Sequence, residues 1–344
     1  MKATNWQRIE LTAFGGPENL KVVTEQQLPE PGPGQVRVKV LTAGTGFTDT
    51  VIRQGQYPGV KQKPPFTLGY DWFGMVDGVG SGVSTLQPGD YVADMPVTGG
   101  YSQYLLADAE RIIPCPAGLE PAQAVCMILS YTTAYQMLTR ECALTPGDRI
   151  LVHAAGGAVG TAFLELAREL ELTVYGTASA AKHELVRSLG ATPIDYRTTD
   201  FVAEISRLTD GQGVQAVFDT IGGHNWPRSY RCVARRGKLV GFGALQVTTG
   251  EESIPSLLWG FAKLLGFWRL RPDGRATGFY NIQSRREKHP EEFREDVMTL
   301  LQWLREGRLH PAVAEVRPLA EAADVHRLID AGAVAGKIVL DCQA

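Results

Sequence analysis

Apolar positions change their rhythm along this chain, and the rhythm predicts its elements. Up to about Pro121 the apolar runs are short and have period two. Val36-Arg37-Val38-Lys39-Val40 alternates strictly, and Tyr101-Ser102-Gln103-Tyr104-Leu105-Leu106 is a second strand candidate. Turn signals separate the runs, notably Pro29-Glu30-Pro31-Gly32-Pro33-Gly34 and Gln87-Pro88-Gly89-Asp90. This part predicts an irregular β-domain.

Beyond Pro121 the pattern lengthens. Ala122 to Leu138 is apolar and compatible with a helix, Thr145-Pro146-Gly147-Asp148 is a turn, and β-like runs then alternate with amphipathic helical ones. The strand candidates are Ile150-Leu151-Val152, Thr173-Val174-Tyr175-Gly176, Ala216-Val217-Phe218-Asp219 and Lys238-Leu239-Val240-Gly241-Phe242; helices are predicted from about Val159 to Leu170 and from about Ala181 to Leu189. Such alternation predicts a parallel, doubly wound sheet, so the fold class is α/β. From Ile254 to Leu270 the chain is strongly apolar, but Lys263 interrupts the run and it is shorter than the ~20 residues of a membrane span. A buried or lid-like helix is preferred to a membrane-surface one, because only Lys263, Arg269 and Arg271 supply basic charge. A helix from about Pro290 to Leu304 and a β-like tail, Lys337-Ile338-Val339-Leu340, close the chain.

Composition narrows the picture. With 344 residues two domains are expected, and 44% hydrophobic residues, 21% charged residues and a net charge of −3 describe a globular chain with no bias toward nucleic acid. Met1 to Arg8 carries no signal-peptide pattern, so a cytoplasmic location is expected. Cys115, Cys126, Cys142, Cys232 and Cys342 are scattered without a CxxC pair, which argues against a zinc knuckle or disulfide framework. The six histidines are equally dispersed, so packing or surface roles are expected for them.

The sharpest chemical signal follows Ile150-Leu151-Val152. There His153-Ala154-Ala155-Gly156-Gly157-Ala158-Val159-Gly160 leads into a predicted helix, the strand–turn–helix context of a dinucleotide fingerprint. Aligned to GxGxxG, Ala155 replaces the first glycine, while Gly157 and Gly160 fill the other two. Small residues admit a pyrophosphate to the backbone, and the helix N-terminus offers it unpaired N–H groups. About 20 residues on, a site for NAD places a carboxylate on the ribose 2′-hydroxyl. Here that region reads Thr177-Ala178-Ser179-Ala180-Ala181-Lys182, with no acid before Glu184. Ser179 and Lys182 suit a 2′-phosphate, so NADPH is the expected cofactor.

These motifs, together with Asp49 to Pro58, Pro65 to Asp71, Gly99 to Tyr104 and Tyr131 to Tyr135, make the chain resemble the quinone-oxidoreductase branch of the medium-chain dehydrogenase/reductases. The resemblance implies a GroES-like β-domain over residues 1–127, a Rossmann NADPH-binding domain over 128–282, and a return to the first domain over 283–344. It also implies a cleft between them that holds nicotinamide and substrate. By the same resemblance Lys182 and Tyr196 contact the 2′-phosphate, Thr133 lies on a helix near the cofactor, Phe242 and Gly243 form the loop beside the nicotinamide, and Tyr280 and Asn281 approach cofactor or substrate. A homodimer formed across the last Rossmann strand, near Thr277 to Tyr280, is implied as well.

Zinc-dependent relatives place ligands where this chain has Gly46 and Tyr70, and their four-cysteine structural lobe is absent, so no metal is expected. Oxidation of a simple alcohol leans on that metal, whereas hydride addition to a quinone or enone needs only a polarised carbonyl. Tyr57 is the candidate donor to that carbonyl, with an aromatic packed at a turn as an equal alternative. Asp49 resembles a pocket aspartate, but a turn cap or a partner for Arg53 fits it equally. Many quinone oxidoreductases have asparagine at Gly46 and tyrosine at Val51, so the predicted pocket is thinner in polar groups and suits an apolar carbonyl substrate; Ser130 offers one hydroxyl in return. The alternative function is a non-catalytic NADPH-binding or membrane-associated protein of the same fold.

Overall fold

The computed structural model describes residues 5–245 and 253–344, apart from the side chains of Ile254 and Arg269. The first four residues of the N-terminal reading therefore lie outside the described residues, as does the side chain of Arg269, one of the three basic residues counted near the apolar segment. Two compact units divide the chain, one formed by residues 1–132 with 294–344, the other by 133–293.

The first unit is built on a seven-stranded sheet. Gln35–Gly44 lies at its centre, antiparallel to Trp72–Val79, to Tyr104–Asp108 and to Lys337–Asp341. Its burial alternates as the sequence predicts, with Val36, Val38 and Val40 fully enclosed. The second predicted strand begins later than its pattern suggested, at Tyr104 and not Tyr101. Tyr101 to Gln103 lie outside that strand and meet Gln7 to Ile9 instead: Ser102 forms an isolated antiparallel bridge with Arg8, Ile9 N donates to Tyr101 O and Gln103 N to Gln7 O. The C-terminal strand Lys337–Asp341 pairs Val339 with Gly44, and Val313–Pro318 runs parallel to it, so the last fifty residues complete the N-terminal sheet.

The second unit is a parallel six-stranded sheet. In spatial order its strands are Thr192–Asp195, Thr173–Ala178, Arg149–Val152, Val214–Asp219, Val233–Gly241 and Ala276–Phe279. Numbered along the unit that order is 3-2-1-4-5-6, the doubly wound Rossmann arrangement, whose direction of winding reverses beside Arg149–Val152. Leu151, Val217 and Leu239 are fully buried in its core. Helix Ile282–Lys288 belongs to this unit, because Arg285 donates to both Glu141 and Glu292 at 2.7 Å.

The apolar segment forms helix Ile254–Leu265 and a short turn, Phe267–Leu270, on the same unit. Among the described residues, only one face is packed. Phe261 meets Trp226 and Phe279 at ring separations of 5.0 and 4.9 Å, and Trp268 stacks on Tyr230 at 4.8 Å. Leu258, Trp259, Leu265, Phe267 and Leu270 remain exposed. Among the described residues, no helix is long and apolar enough to cross a membrane.

Candidate active site

On the second unit, the turn after Arg149–Val152 sits at the reversal of strand order, where open α/β sheets place their ligands. Ala154 adopts a left-handed φ of 55°, and Gly157 caps helix Ala158–Glu169 with no side chain in the way. Val159 lies in the first turn of that helix. Gly160 is obligatory for packing: a Cβ there would sit 2.3 Å from Ala154 O and 2.6 Å from Ala155 C. Gly176 serves the neighbouring strand similarly, since its Cβ would lie 2.6 Å from that of Ala155.

A buried network fixes the strands beneath this turn. Asp219 accepts from Ile221 N, Gly222 N, Asn225 and Ser229. Because the Ser229 hydrogen goes to Asp219, the His153 Nε2–H donates to Ser229 Oγ, and Nδ1 accepts from Thr177, each at 2.9 Å. Burial lowers the pKa of His153, in keeping with this neutral tautomer. His153 is a packing residue.

At the ends of the neighbouring strands stand the predicted phosphate contacts. Ala178 pairs with Asp195, which brings Ser179 and Tyr196 to one edge of the sheet. Lys182 lies half-buried against Gly156, and burial lowers its pKa. Tyr196 is exposed, with the Arg197 guanidinium 5.7 Å from its ring centre. Phe242 and Gly243 follow strand Val233–Gly241, and Phe242 N donates to Asp219 O. Thr133 is buried and its hydroxyl has no partner among the described residues, which suits a ligand's polar group. Tyr280 and Asn281 are otherwise engaged: the Tyr280 hydroxyl donates to Gln136 at 2.7 Å, and Asn281 caps Ile282–Lys288 through Ser284 N. The glycine turn, the helix N-terminus, the acid-free second strand end and the open Thr133 hydroxyl together fit a dinucleotide.

On the first unit, helix Phe47–Arg53 begins at Gly46, and Asp49 caps it. One Asp49 oxygen accepts from Gly46 N at 2.9 Å and the other from Tyr70 N at 3.1 Å. The alternative partner for Asp49 is ruled out, because Arg53 pairs with Asp330 at 2.8 Å. Burial, then the charge of Asp71, raises Asp49 to about 8. Asp71 and Lys337 form a buried pair at 3.4 Å, with Ser130 Oγ also 3.4 Å from Lys337 Nζ. Tyr57 and Tyr70 meet edge to face with their hydroxyl oxygens 2.8 Å apart. The structure thus gathers Asp49 and Tyr57 around Tyr70, while Ser130 belongs with Asp71 and Lys337. The Asp71–Lys337 pair joins residues 266 positions apart, and nothing in the local sequence announces it.

Two family models match the chain, the alcohol dehydrogenase GroES-like domain over residues 32–117 and zinc-binding dehydrogenase over residues 189–340. The synaptic vesicle membrane protein VAT-1 homolog of Rattus norvegicus is 33% identical over 337 residues, covering 96% of this chain and 82% of that protein. The 2-haloacrylate reductase of a Burkholderia species is also 33% identical, over 96% of this chain and 97% of its own length. This chain belongs to the medium-chain dehydrogenase/reductase superfamily, in its zinc-independent quinone oxidoreductase-like branch. It is an oxidoreductase of that superfamily. The fold agrees with the crystal structure of Escherichia coli quinone oxidoreductase complexed with NADPH, at a TM-score of 0.85 and 29% identity over 97% of this chain and 99% of that one.

Within this superfamily the zinc-ligand positions decide the chemistry, and here they do not fit the metal. Gly46 offers no side chain, and the Tyr70 hydroxyl is engaged with Tyr57. Among the described residues, no group of three or more His, Cys, Asp or Glu side chains converges in a way that would hold an ion.

Proposed function

We propose that this oxidoreductase uses NADPH to reduce a quinone, or the C=C bond of an α,β-unsaturated carbonyl compound, without zinc. The observation that carries the reading is that a tyrosine hydroxyl, hydrogen-bonded to Tyr57, occupies a position where zinc-dependent members bring a ligand. Tyr57, the more exposed of the two phenols, suits carbonyl polarisation. NADPH, when bound, supplies the hydride. Gly156 to Gly160 and the helix N-terminus would hold its pyrophosphate, and Ser179, Lys182 and Tyr196 its 2′-phosphate, near which the sequence places no carboxylate before Glu184. With that hydride going to the β-carbon of an enone, Tyr57 would give the proton that the reduced carbonyl compound takes up. The relative solved in complex with NADPH and the relative named a 2-haloacrylate reductase support this reading.

A screen of NADPH oxidation against quinones, enones and alkenals, repeated with NADH, tests it. Consumption of acceptor at least tenfold faster with NADPH is expected. No turnover with any acceptor would end the reductase reading, and equal rates with NADH would end the cofactor assignment.

One observation favours a second reading, a non-catalytic NADPH-binding protein associated with membranes: the exposed apolar residues Leu258, Trp259, Phe267 and Leu270. A relative named as a synaptic vesicle membrane protein points the same way. Sedimentation with anionic liposomes at low salt separates the readings, because no association removes the membrane role. The reductase reading also includes a homodimer, supported by the position of Ala276–Phe279 as the edge strand of its sheet.

A further inference from the structure

The direction of one buried hydrogen bond goes further, and it rests on the reductase reading above. Tyr70 is 1% exposed, and among the described residues its hydroxyl meets a single hydrogen-bonding atom, the Tyr57 oxygen at 2.8 Å. A buried O–H without an acceptor is costly, on the order of 1–3 kcal/mol. The Tyr70 hydrogen therefore has one favourable place to go. Tyr57 is only partly buried and opens the turn that Val60 N closes on its carbonyl. Each phenol has one hydrogen, so a bond donated by Tyr70 leaves the Tyr57 hydrogen for an acceptor other than Tyr70.

From this geometry we infer that Tyr70 is the positioning residue of the reaction: it donates to Tyr57, aims the Tyr57 proton outward, and holds the Tyr57 phenolate once that proton has gone to the substrate. When the substrate enolate takes the Tyr57 hydrogen, the O–H bond of Tyr57 breaks, a bond to hydrogen forms on the substrate, and the negative charge moves to the Tyr57 oxygen. There it receives a charge-assisted hydrogen bond from Tyr70 that was a neutral one before, and solvent later restores the proton.

The surroundings keep the proton on Tyr70. Tyr70 N donates to Asp49, and Asp71 is nearby, fully buried. Burial, then Tyr57 and the two carboxyl groups, raises the Tyr70 phenol well above its ordinary range, so Tyr70 keeps the hydrogen that it donates. A position that zinc-dependent members use for a metal ligand has, in this chain, become the support of the proton donor.

The test separates this inference from the reductase reading. Tyrosine labelled with a carbon isotope at Cζ, with signals assigned through Tyr57→Phe, reports the ionisation of Tyr57 by NMR without any turnover. In Tyr70→Phe, which removes one oxygen, the Tyr57 pKa is expected to rise by about one unit, because its phenolate loses the donated bond. An unchanged or lower value would overturn the inference. The reciprocal variant reads the same bond: Tyr57→Phe should shift the Tyr70 Cζ signal, and an unmoved signal again counts against it. In turnover, Tyr70→Phe should lower kcat about tenfold at unchanged NADPH affinity and move the alkaline limb of the pH profile upward, with no added loss in a Tyr57→Phe background. Additive losses would reduce Tyr70 to a structural residue. A wild-type enzyme inactive on every acceptor defeats the reductase reading alone, and the NMR titration still decides the polarity of the pair.

Discussion

Lys182 lies across the space above Gly156: a Cβ added to that glycine would stand 2.8 Å from Lys182 Cδ and 2.9 Å from its Cβ. The cation proposed for the 2′-phosphate thus rests on the turn proposed for the pyrophosphate. Lys182→Ala should weaken NADPH by about ten- to a hundredfold while changing NADH little. Titration of both cofactors by fluorescence checks this, and equal losses for the two would show that Lys182 does not read the phosphate.

Gly160 has no such flexible neighbour, because backbone atoms fill the position of its Cβ. Gly160→Ala must push helix Ala158–Glu169 away from the turn. A stability loss of about 1–3 kcal/mol is expected, with a lower Tm and weaker NADPH stabilisation of the fold. Thermal unfolding with and without NADPH measures both effects; a variant as stable as the parent would mean that the turn is looser than it looks.

For Tyr57 the expected loss is in the chemical step. Tyr57→Phe should lower kcat by about a hundredfold or more and leave NADPH binding unchanged. Steady-state kinetics with an enone substrate, paired with cofactor titration, distinguishes this from a packing role, in which turnover would stay near the parent value.

His326 supplies a pH dependence. Burial, with Arg53 nearby, lowers its pKa from 6.5 to about 3, and its ring meets the Tyr101 hydroxyl at 3.3 Å. The unfolded chain takes up a proton on this histidine below about pH 6.5, and the folded chain does not until near pH 3. Stability is therefore present above pH 6.5 and is lost as pH falls toward 3, by at most about 1.4 kcal/mol per pH unit. In His326→Phe that slope should flatten. Denaturant unfolding at about pH 4 and about pH 6 gives the comparison, and parallel slopes in the two proteins would discount this residue.

The edge strand carries the assembly prediction. Sedimentation should show a species of two 37.4 kDa chains at micromolar concentration. A single-chain species throughout the range would remove the homodimer.

Much of this was legible in the chain. Val36 to Val40, Ile150 to Val152 and Lys337 to Leu340 appear as strands where their apolar pattern placed them, because burial of one or both faces leaves a direct mark on sequence. The glycine turn was readable for a similar reason: close backbone approach tolerates only small residues, and that is a local demand. Tyr101 to Gln103 are extended but pair with Gln7 to Ile9 through a single bridge, and which strand they meet is a long-range matter that their alternation does not show.

The sequence by itself therefore determined the two kinds of sheet, the dinucleotide turn and the missing ribose carboxylate, all set by neighbours within a few dozen residues. Tertiary structure decided what long-range proximity decides. It set Tyr70 against Tyr57, Lys337 against Asp71 and Asp330 against Arg53, and it left one face of the Ile254–Leu265 helix bare. A buried hydroxyl or charge takes its role from whichever group folding brings to it, and that partner leaves no trace in the spacing of the chain.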